Sequence, residues 1–466
     1  MLPVVALVGR PNVGKSTLFN VLTRTRDALV ADQPGLTRDR HYGICRPEGQ
    51  REFVVVDTGG LTQDRDGIGA LITKQAQAAI GEADTVVFVV DARAGVLPHD
   101  RDVLSALRRT GKRMLLAVNK VDGLDESAAL AEFATLGLAD SLPLASAHGR
   151  GVGTLIEVIL EGLPAVDADA LEADSANDGI RVAIIGRPNV GKSTLVNRLL
   201  GEDRVVVSDV AGTTRDSIRV VLERDGKRYT LIDTAGVRRR ARVEEAIEKF
   251  SVIKTLQSIA AAHVVVVMLD ANEGVSEQDA TLIGYVLDEG RALVLAANKW
   301  DGLSSYDREQ CTKSLDRKLD FVAFAKSVTM SALHGSGIAE LMRAINRAHA
   351  SATRQFTTSE LTRAVEQAYT AHQPPLVRGH APKLRFAHPG GSNPPTIIIH
   401  GSRTKHIADS YRRYLENFFR KRYKLEGTPV RIEFRESENP FAGRKNVLTD
   451  RQVKKRKRLM RNVKAR

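Results

Sequence analysis

The string GRPNVGKST occurs twice, from Gly9 to Thr17 and from Gly186 to Thr194, and no other feature of this 466-residue chain restricts its fold as strongly. Each copy fits G-x-x-x-x-G-K-[ST]. Each follows an apolar β-branched run, Val4 to Val8 or Val182 to Ile185, and precedes a run that reads as a helix, Thr17 to Leu22 or Thr194 to Leu200. Strand, glycine-rich loop and helix in that order are the context in which this pattern binds phosphate. The glycines let backbone N–H groups wrap an anion, and the helix N-terminus adds a favourable dipole. One expected site is therefore lined by Gly9, Arg10, Pro11, Asn12, Val13, Gly14, Lys15 and Ser16. A second is lined by Gly186, Arg187, Pro188, Asn189, Val190, Gly191, Lys192 and Ser193. Lys15 and Lys192 would reach the outer phosphates, and the hydroxyls of Ser16 and Ser193 would each meet Mg²⁺.

The repeat continues beyond the loops. Thr37 and Thr214 stand 177 residues apart, the same offset as Gly9 and Gly186. A threonine there can close over a γ-phosphate and complete the Mg²⁺ shell. Two further strands end in Asp57, Thr58, Gly59, Gly60 and in Asp233, Thr234, Ala235, Gly236, followed by Leu61 and Val237. The aspartates would hold Mg²⁺, and the N–H of Gly60 and of Gly236 would meet the γ-phosphate. NKVD, with Asn119, Lys120 and Asp122, and NKWD, with Asn298, Lys299 and Asp301, each end another apolar strand. A carboxylate so placed accepts two hydrogen bonds from guanine that adenine cannot donate, a discrimination of roughly 10⁴ or more. The asparagine would reach the base and the phosphate loop, and the lysine stem would pack on the ring. Ser146 with Ala147, and Ser331 with Ala332, lie where a last loop would offer backbone N–H groups to the guanine oxygen. Strands alternating with helices in both halves predict an α/β class: two tandem P-loop domains, each a mostly parallel doubly wound sheet with its ligand at the strands' carboxyl ends.

Charge separates the rest of the chain from these halves. The net charge is +13, yet residues 1–402 carry about −1, while residues 439–466 hold eleven Lys or Arg against Asp450 alone. A basic block beside folded domains points to RNA, DNA or an anionic membrane. Cys45 and Cys311 are the only cysteines, which excludes a disulfide framework and fits a reducing cytosol. The longest apolar runs, such as Val264 to Leu269, are too short to span a bilayer.

The pattern divides the chain into units at 1–163 and 180–353, an acidic linker at 164–179, a third domain at 354–438, and a basic, disordered tail at 439–466. In the third domain Thr357 to Ala371 reads as a helix, Lys383 to His388 and Thr396 to His400 as strands, Ile407 to Lys424 as an amphipathic helix and Thr428 to Arg435 as a strand. That order, α-β-β-α-β, suits a KH-like α+β domain, although no G-x-x-G loop lies between its helices. Its helix aromatics read as core.

Five ordered motifs, each present twice, resemble two tandem GTPase domains. With the basic third domain and its string RIEFRESENPF, Arg431 to Phe441, the chain resembles the Der (EngA) family of bacterial GTPases. The resemblance implies GTP and GDP as ligands, Mg²⁺ as cofactor, hydrolysis to GDP and phosphate, and a role in assembly of the large ribosomal subunit. Its implied partners are that subunit and its rRNA. A cytoplasmic monomer without DNA or stable membrane association is expected. The alternative is a GTP-dependent signalling switch acting on a protein or an anionic membrane.

Many GTPases orient water with a Gln after the D-x-x-G glycine, and here Leu61 and Val237 cannot. The resemblance implies instead that Asn12 and Asn189 each help hold a K⁺ ion beside the phosphates, where it would stabilise charge developing in the transition state. Arg38 or Arg215 is the other candidate source of that charge. Arg238, Arg239, Arg240 and Arg242, in the loop after the second D-x-x-G motif, mark an expected nucleotide-dependent contact.

Overall fold

A computed structural model describes residues 2–23, 42–59, 74–163, 179–202, 204–206, 220–232, 252–376, 381–404 and 407–436. The basic tail and all but the last residue of the expected linker lie outside them.

The first sheet is built from β1 (Val4–Val8), β2 (Tyr42–Cys45), β3 (Phe53–Asp57), β4 (Thr85–Asp91), β5 (Arg113–Asn119) and β6 (Ser141–Leu144). Helices α1 (Lys15–Thr23), α2 (Lys74–Glu82), α3 (Pro98–Arg108), α4 (Glu126–Phe133) and α5 (Val152–Glu161) alternate with the strands. The strand order is β2-β3-β1-β4-β5-β6, parallel except for the β2–β3 pair. β1 and β3 are buried along their whole length, which is why their sequences run apolar without alternation.

The second half repeats the plan with β7 (Ile180–Gly186), β8 (Arg204–Val206), β9 (Val220–Arg224), β10 (Lys227–Ile232), β11 (Val264–Asp270), β12 (Ala292–Asn298) and β13 (Lys326–Thr329). Its helices are α6 (Lys192–Glu202), α7 (Val252–Ala261), α8 (Glu277–Asp288), α9 (Ser305–Lys318) and α10 (Ile338–Ala352). The order β13-β12-β11-β7-β10-β9-β8 adds an edge strand, and β8–β9 and β9–β10 are antiparallel. In both sheets the strand before the glycine loop sits at the switch point of the topology, where such folds bind ligands.

The third domain holds α11 (Thr358–Ala371), β14 (Lys383–Gly391), β15 (Thr396–Ser402), α12 (Asp409–Tyr423) and β16 (Arg431–Glu436). The expected α-β-β-α-β order is present. β14 and β15 run antiparallel and β15 and β16 parallel. Tyr411, Leu415 and Phe419 of α12 are buried against Ile397, Ile399 and Ile432, so the aromatics expected as core are core. The last strand starts at Arg431, later than Thr428, because Pro429 has no N–H to give to a ladder.

Among the described residues two seams join these sheets. α7 packs on β2 and β3 of the first sheet, and one apolar cluster contains Ile44, Val54, Ile253, Leu256 and Ile259. Gln257 Nε2 donates to the Leu2 carbonyl at 2.7 Å. Arg46 pairs with the buried Glu289 and, at 3.2 Å, with Glu52. Burial pushes the Glu289 carboxyl up against the pull of Arg46. At the other seam Leu293 N–H donates to the Gly427 carbonyl at 2.6 Å, and Gly427 N–H donates to the Phe324 carbonyl at 2.8 Å. Arg420 lies 4.6 Å over the Phe324 ring.

Gly427 has φ +70°, and a Cβ there would lie 2.6 Å from Ala348 Cβ. Gly427→Ala should therefore wedge the third domain off the second and destabilise the chain by about 2 kcal/mol. Denaturant unfolding followed through Trp300, the single tryptophan, measures this. An unchanged midpoint would show that the seam yields without cost.

Candidate functional site

In each copy the glycine loop leaves the carboxyl end of a central strand and turns into a helix. Leu18 N–H donates to the Gly14 carbonyl at 2.9 Å and Leu195 N–H to the Gly191 carbonyl at 3.0 Å, which starts α1 and α6. Asn12 and Asn189 take left-handed backbone at φ 66° and 64°, a conformation asparagine tolerates better than most residues. Lys15 Nζ donates to the carbonyls of Gly9 and Arg10, both at 2.8 Å. Lys192 Nζ does the same to Gly186 at 3.0 Å and Arg187 at 2.7 Å. Lys15 is 6% exposed, and burial lowers its pKa while Asp57 pulls it back up.

Pro11 and Pro188 are exposed at the loop tips, whereas Val13 and Val190 are buried beneath them. The side chains of Arg10 and Arg187 turn away from the loop. Arg10 Nε donates to the buried Asp100 at 3.1 Å. Arg187 Nε donates to both carboxylate oxygens of Asp279, at 3.1 and 3.0 Å. Asp100 and Asp279 stand in the first turns of α3 and α8, so these ion pairs fix the loop against a neighbouring helix. Neither aspartate was singled out from the sequence. The detectable signal is that they share the 179-residue offset of Asp91 and Asp270.

Asn119 and Asn298 each tie the glycine loop to the last loop of their sheet. Asn119 is 2% exposed; its Nδ2 donates to the Val13 carbonyl at 2.8 Å, and its Oδ1 accepts from Ser146 N–H at 3.0 Å and Ser146 Oγ at 2.9 Å. Asn298 Nδ2 donates to the Val190 carbonyl at 2.7 Å, and its Oδ1 accepts from Ala332 N–H at 2.8 Å. Both reach the phosphate loop as expected. The last loops are offset by one residue from the string match. Ser146, not Ala147, occupies the place of Ala332, and Ala145 occupies that of Ser331, since Ala145 N–H bonds Arg150 as Ser331 N–H bonds Ser336. Matching SAH to SAL misaligned the loops because serine and alanine occur in both registers.

Lys120 and Lys299 also have left-handed backbone, and their ammonium groups are anchored. Lys120 Nζ bonds Asp91 Oδ2 and the Asn12 carbonyl, each at 2.7 Å. Lys299 Nζ bonds Asp270 Oδ2 at 2.5 Å. Burial raises the Asp91 carboxyl, but hydrogen bonds from Lys120 and from Arg93 N–H hold it below its ordinary value; Asp270 behaves alike. Asp122 and Asp301 lie partly exposed beside these lysines. Asp122 pairs with Arg93, and Asp301 lies 3.3 Å from His334 Nε2.

Asp57 and Thr58 are buried at the end of β3, where Asp57 Oδ1 accepts from Gly59 N–H at 2.8 Å and Thr58 Oγ1 donates to the Leu7 carbonyl at 2.8 Å. Ser16 is exposed in the first turn of α1, and Ser193 is half-buried in that of α6. Hydroxyl and carboxylate oxygens are the donor types that Mg²⁺ takes. Thr37, Gly60, Leu61, Thr214, Asp233, Thr234, Ala235, Gly236 and Val237 lie outside the described residues, as do Arg38, Arg215 and the Arg238 to Arg242 cluster.

At Gly14, φ +97°, a Cβ would lie 2.3 Å from Asn119 Nδ2, and at Gly191, φ +100°, 2.2 Å from Asn298 Nδ2. Gly14→Ala and Gly191→Ala should each displace the asparagine amide and weaken guanine-nucleotide binding in their own site by roughly tenfold or more, as loss of a buried hydrogen-bond network does. Titration with a fluorescent GDP reads this. Gly81→Ala, where a Cβ meets nothing within 4 Å, is the control.

Comparison with known proteins agrees with this geometry. The family described as "50S ribosome-binding GTPase" matches residues 4–120 and again 181–299. The family described as "KH-domain-like of EngA bacterial GTPase enzymes, C-terminal" matches residues 355–435. The proteins named GTPase Der from Stenotrophomonas maltophilia strain R551-3 and Xanthomonas axonopodis pv. citri strain 306 are 58% and 59% identical to the chain over 464 and 465 residues, covering all of both sequences. The GTPase Der of Xylella fastidiosa strain M23 is 59% identical over 465 residues, again end to end. Two glycine loops, each tied by a buried asparagine to its base-side loop, and a third KH-like domain thus place the chain in the Der (EngA) family of GTP-binding GTPases.

Proposed function

We propose that the chain is a nucleotide-controlled factor in assembly of the large (50S) ribosomal subunit, hydrolysing GTP at two sites within units 1–163 and 180–353. The observation that carries the two-site reading is the asparagine tie, made at 2.8 Å in the first copy and 2.7 Å in the second. Either tie alone assembles a phosphate cradle and a base pocket into one rigid site. In this reading Asp122 and Asp301 select guanine, and Lys120 and Lys299, anchored at their tips, lay their stems along the base. Lys15 and Lys192 leave the loop carbonyls to meet the outer phosphates. Ser16, Asp57 and Thr37, with Ser193, Asp233 and Thr214, would hold Mg²⁺, which offsets the phosphate charge when bound. The ribosomal target draws support from the family description, a ribosome-binding GTPase, and from the basic carboxyl-terminal segment. The protein would act as a cytoplasmic monomer with rRNA as its partner, through the KH-like unit at 354–438 and the tail.

The test is co-sedimentation with isolated 50S subunits. The chain should pellet with them in a non-hydrolysable GTP analogue and several-fold less in GDP. Equal recovery in both nucleotides, or none in either, overturns the proposal.

For hydrolysis, the reading assigns a K⁺ site to Asn12 and Asn189. Both side chains are exposed on left-handed backbone at the loop tips, next to where the phosphates would lie. A cation there would stabilise charge between the β- and γ-phosphates. Turnover should be faster in K⁺ than in Na⁺ at equal ionic strength by roughly tenfold, less than the hundredfold or more of a whole oxyanion donor because Na⁺ replaces part of the charge. Asn12→Ala and Asn189→Ala should each abolish that difference for one site. Equal rates in the two salts exclude K⁺.

A further inference from the structure

One face of the third sheet packs on α11 and α12 through Ala387, Ile397, Ile399 and Ile432. The other face carries an aromatic ladder that the nucleotide sites do not use. The strand register places Phe386 of β14, His400 of β15 and Arg435 of β16 in one cross-strand row, and His388, Ile398 and Glu433 in the next. Phe386 and His400 lie parallel, with ring centroids 4.4 Å apart and planes 6° apart. His388 joins them, 5.2 Å from His400 at 29°.

The rings are locked at their edges. His388 Nδ1 lies 3.0 Å from the Pro389 carbonyl, which can only accept, so that nitrogen carries the proton. In the tautomer protonated at Nδ1, His388 Nε2 accepts from His400 Nε2–H at 3.1 Å. Burial lowers the pKa of His400, with His388 and Arg435 adding to the effect, so its ring stays neutral at pH 7. Among the described residues no third metal-ligating side chain joins the pair, which argues against a metal site.

A single exposed phenylalanine is unremarkable on a protein surface. Here Phe386 is 42% exposed and tops a rigid three-ring surface rimmed by the exposed cations Lys383, Arg385 and Arg435. Among the described residues Arg435 has a loose partner in Glu433, at 3.4 Å. Flat π surface with a cationic rim is the chemistry that binds unpaired bases and their phosphates. We propose that the open face of the third sheet, through Phe386, His400 and Arg435, binds single-stranded RNA by stacking a base on Phe386. It rests on the ribosomal reading only for the source of the strand, and it gives a domain without a G-x-x-G loop its own RNA surface.

The experiment measures binding of the full chain to a short fluorescent single-stranded RNA and to a blunt duplex of the same sequence, across a salt series. Affinity extrapolated to one molar salt removes the counterion contribution of the basic tail. Phe386→Ala should lower that extrapolated affinity for the single strand about tenfold, within the range known for one stacked base, and leave the duplex unaffected. Phe386→Trp should restore it. Arg435→Ala should instead reduce the slope of log K against log salt by about 0.7. Irradiating a 5-iodouracil-labelled strand should cross-link it to the peptide carrying Phe386. Wild-type affinity in Phe386→Ala overturns the proposal, as does full binding by Phe386→Leu, which keeps an apolar contact without a ring. If Phe386→Ala binds naked RNA normally but is lost from 50S particles, the face contacts a ribosomal protein and the RNA assignment falls. Because the probe is free RNA, failure to bind 50S subunits leaves this result untouched.

Discussion

A carboxamide carries its donor and its acceptor on separate atoms, so it can donate to a carbonyl on one side and accept from an N–H on the other. Asn119 and Asn298 use both capacities in burial, joining a loop at the end of one strand to loops at the ends of two others. An aspartate there could not donate, and its charge would be buried without a counterion. Since a partly satisfied buried polar group costs more than none, the two ends of the bond network hold each other in place. The glycines of the phosphate loop follow from this constraint. A side chain at Gly14 or Gly191 would occupy the space of the amide itself.

Around that shared frame the two sites differ in charge. Asp122 faces Arg93, whereas at the equivalent position in the second copy Asn272 bonds back to Asp270. Asp301 instead is held below its ordinary pKa by Ser331, its own N–H and His334. Asp122 is thus engaged by a guanidinium, and Asp301 by a hydroxyl and an imidazole. Duplication preserved the hydrogen-bonded skeleton and left the surrounding electrostatics free to diverge.

The skeleton was legible because it is local: strand, loop and helix are contiguous, and the repeat doubles every signal. The anchors were not. Arg10 reaches Asp100 and Arg187 reaches Asp279 across 90 and 92 residues, and nothing within either motif names its partner. Arg10 and Arg187 read as part of the loop that wraps phosphate, and their side chains brace that loop against α3 and α8. The last loop slipped by a residue because two small side chains alternate there, and only the bond to Asn119 distinguishes the registers. The third domain's core was readable from helical spacing, but the ring ladder on its open face was not. Phe386, His388 and His400 come together only through a bulged strand register.

The seam between the first two sheets bears on how the chain is made. β2 is the edge strand of the first sheet, and the helix that covers it, α7, begins more than 200 residues later. During synthesis the amino-terminal half is complete long before this cover exists, so β2 and β3 then lack the packing that α7 gives them. An uncovered edge of that kind invites pairing with other chains. Arg46, directly after β2 and paired with Glu52 of the same half at 3.2 Å, keeps a charge at that edge, of the kind that resists strand addition. When Glu289 arrives, the same charge becomes half of a buried pair. An arginine local to the first half thus also ties that half to the second, 243 residues further along the chain.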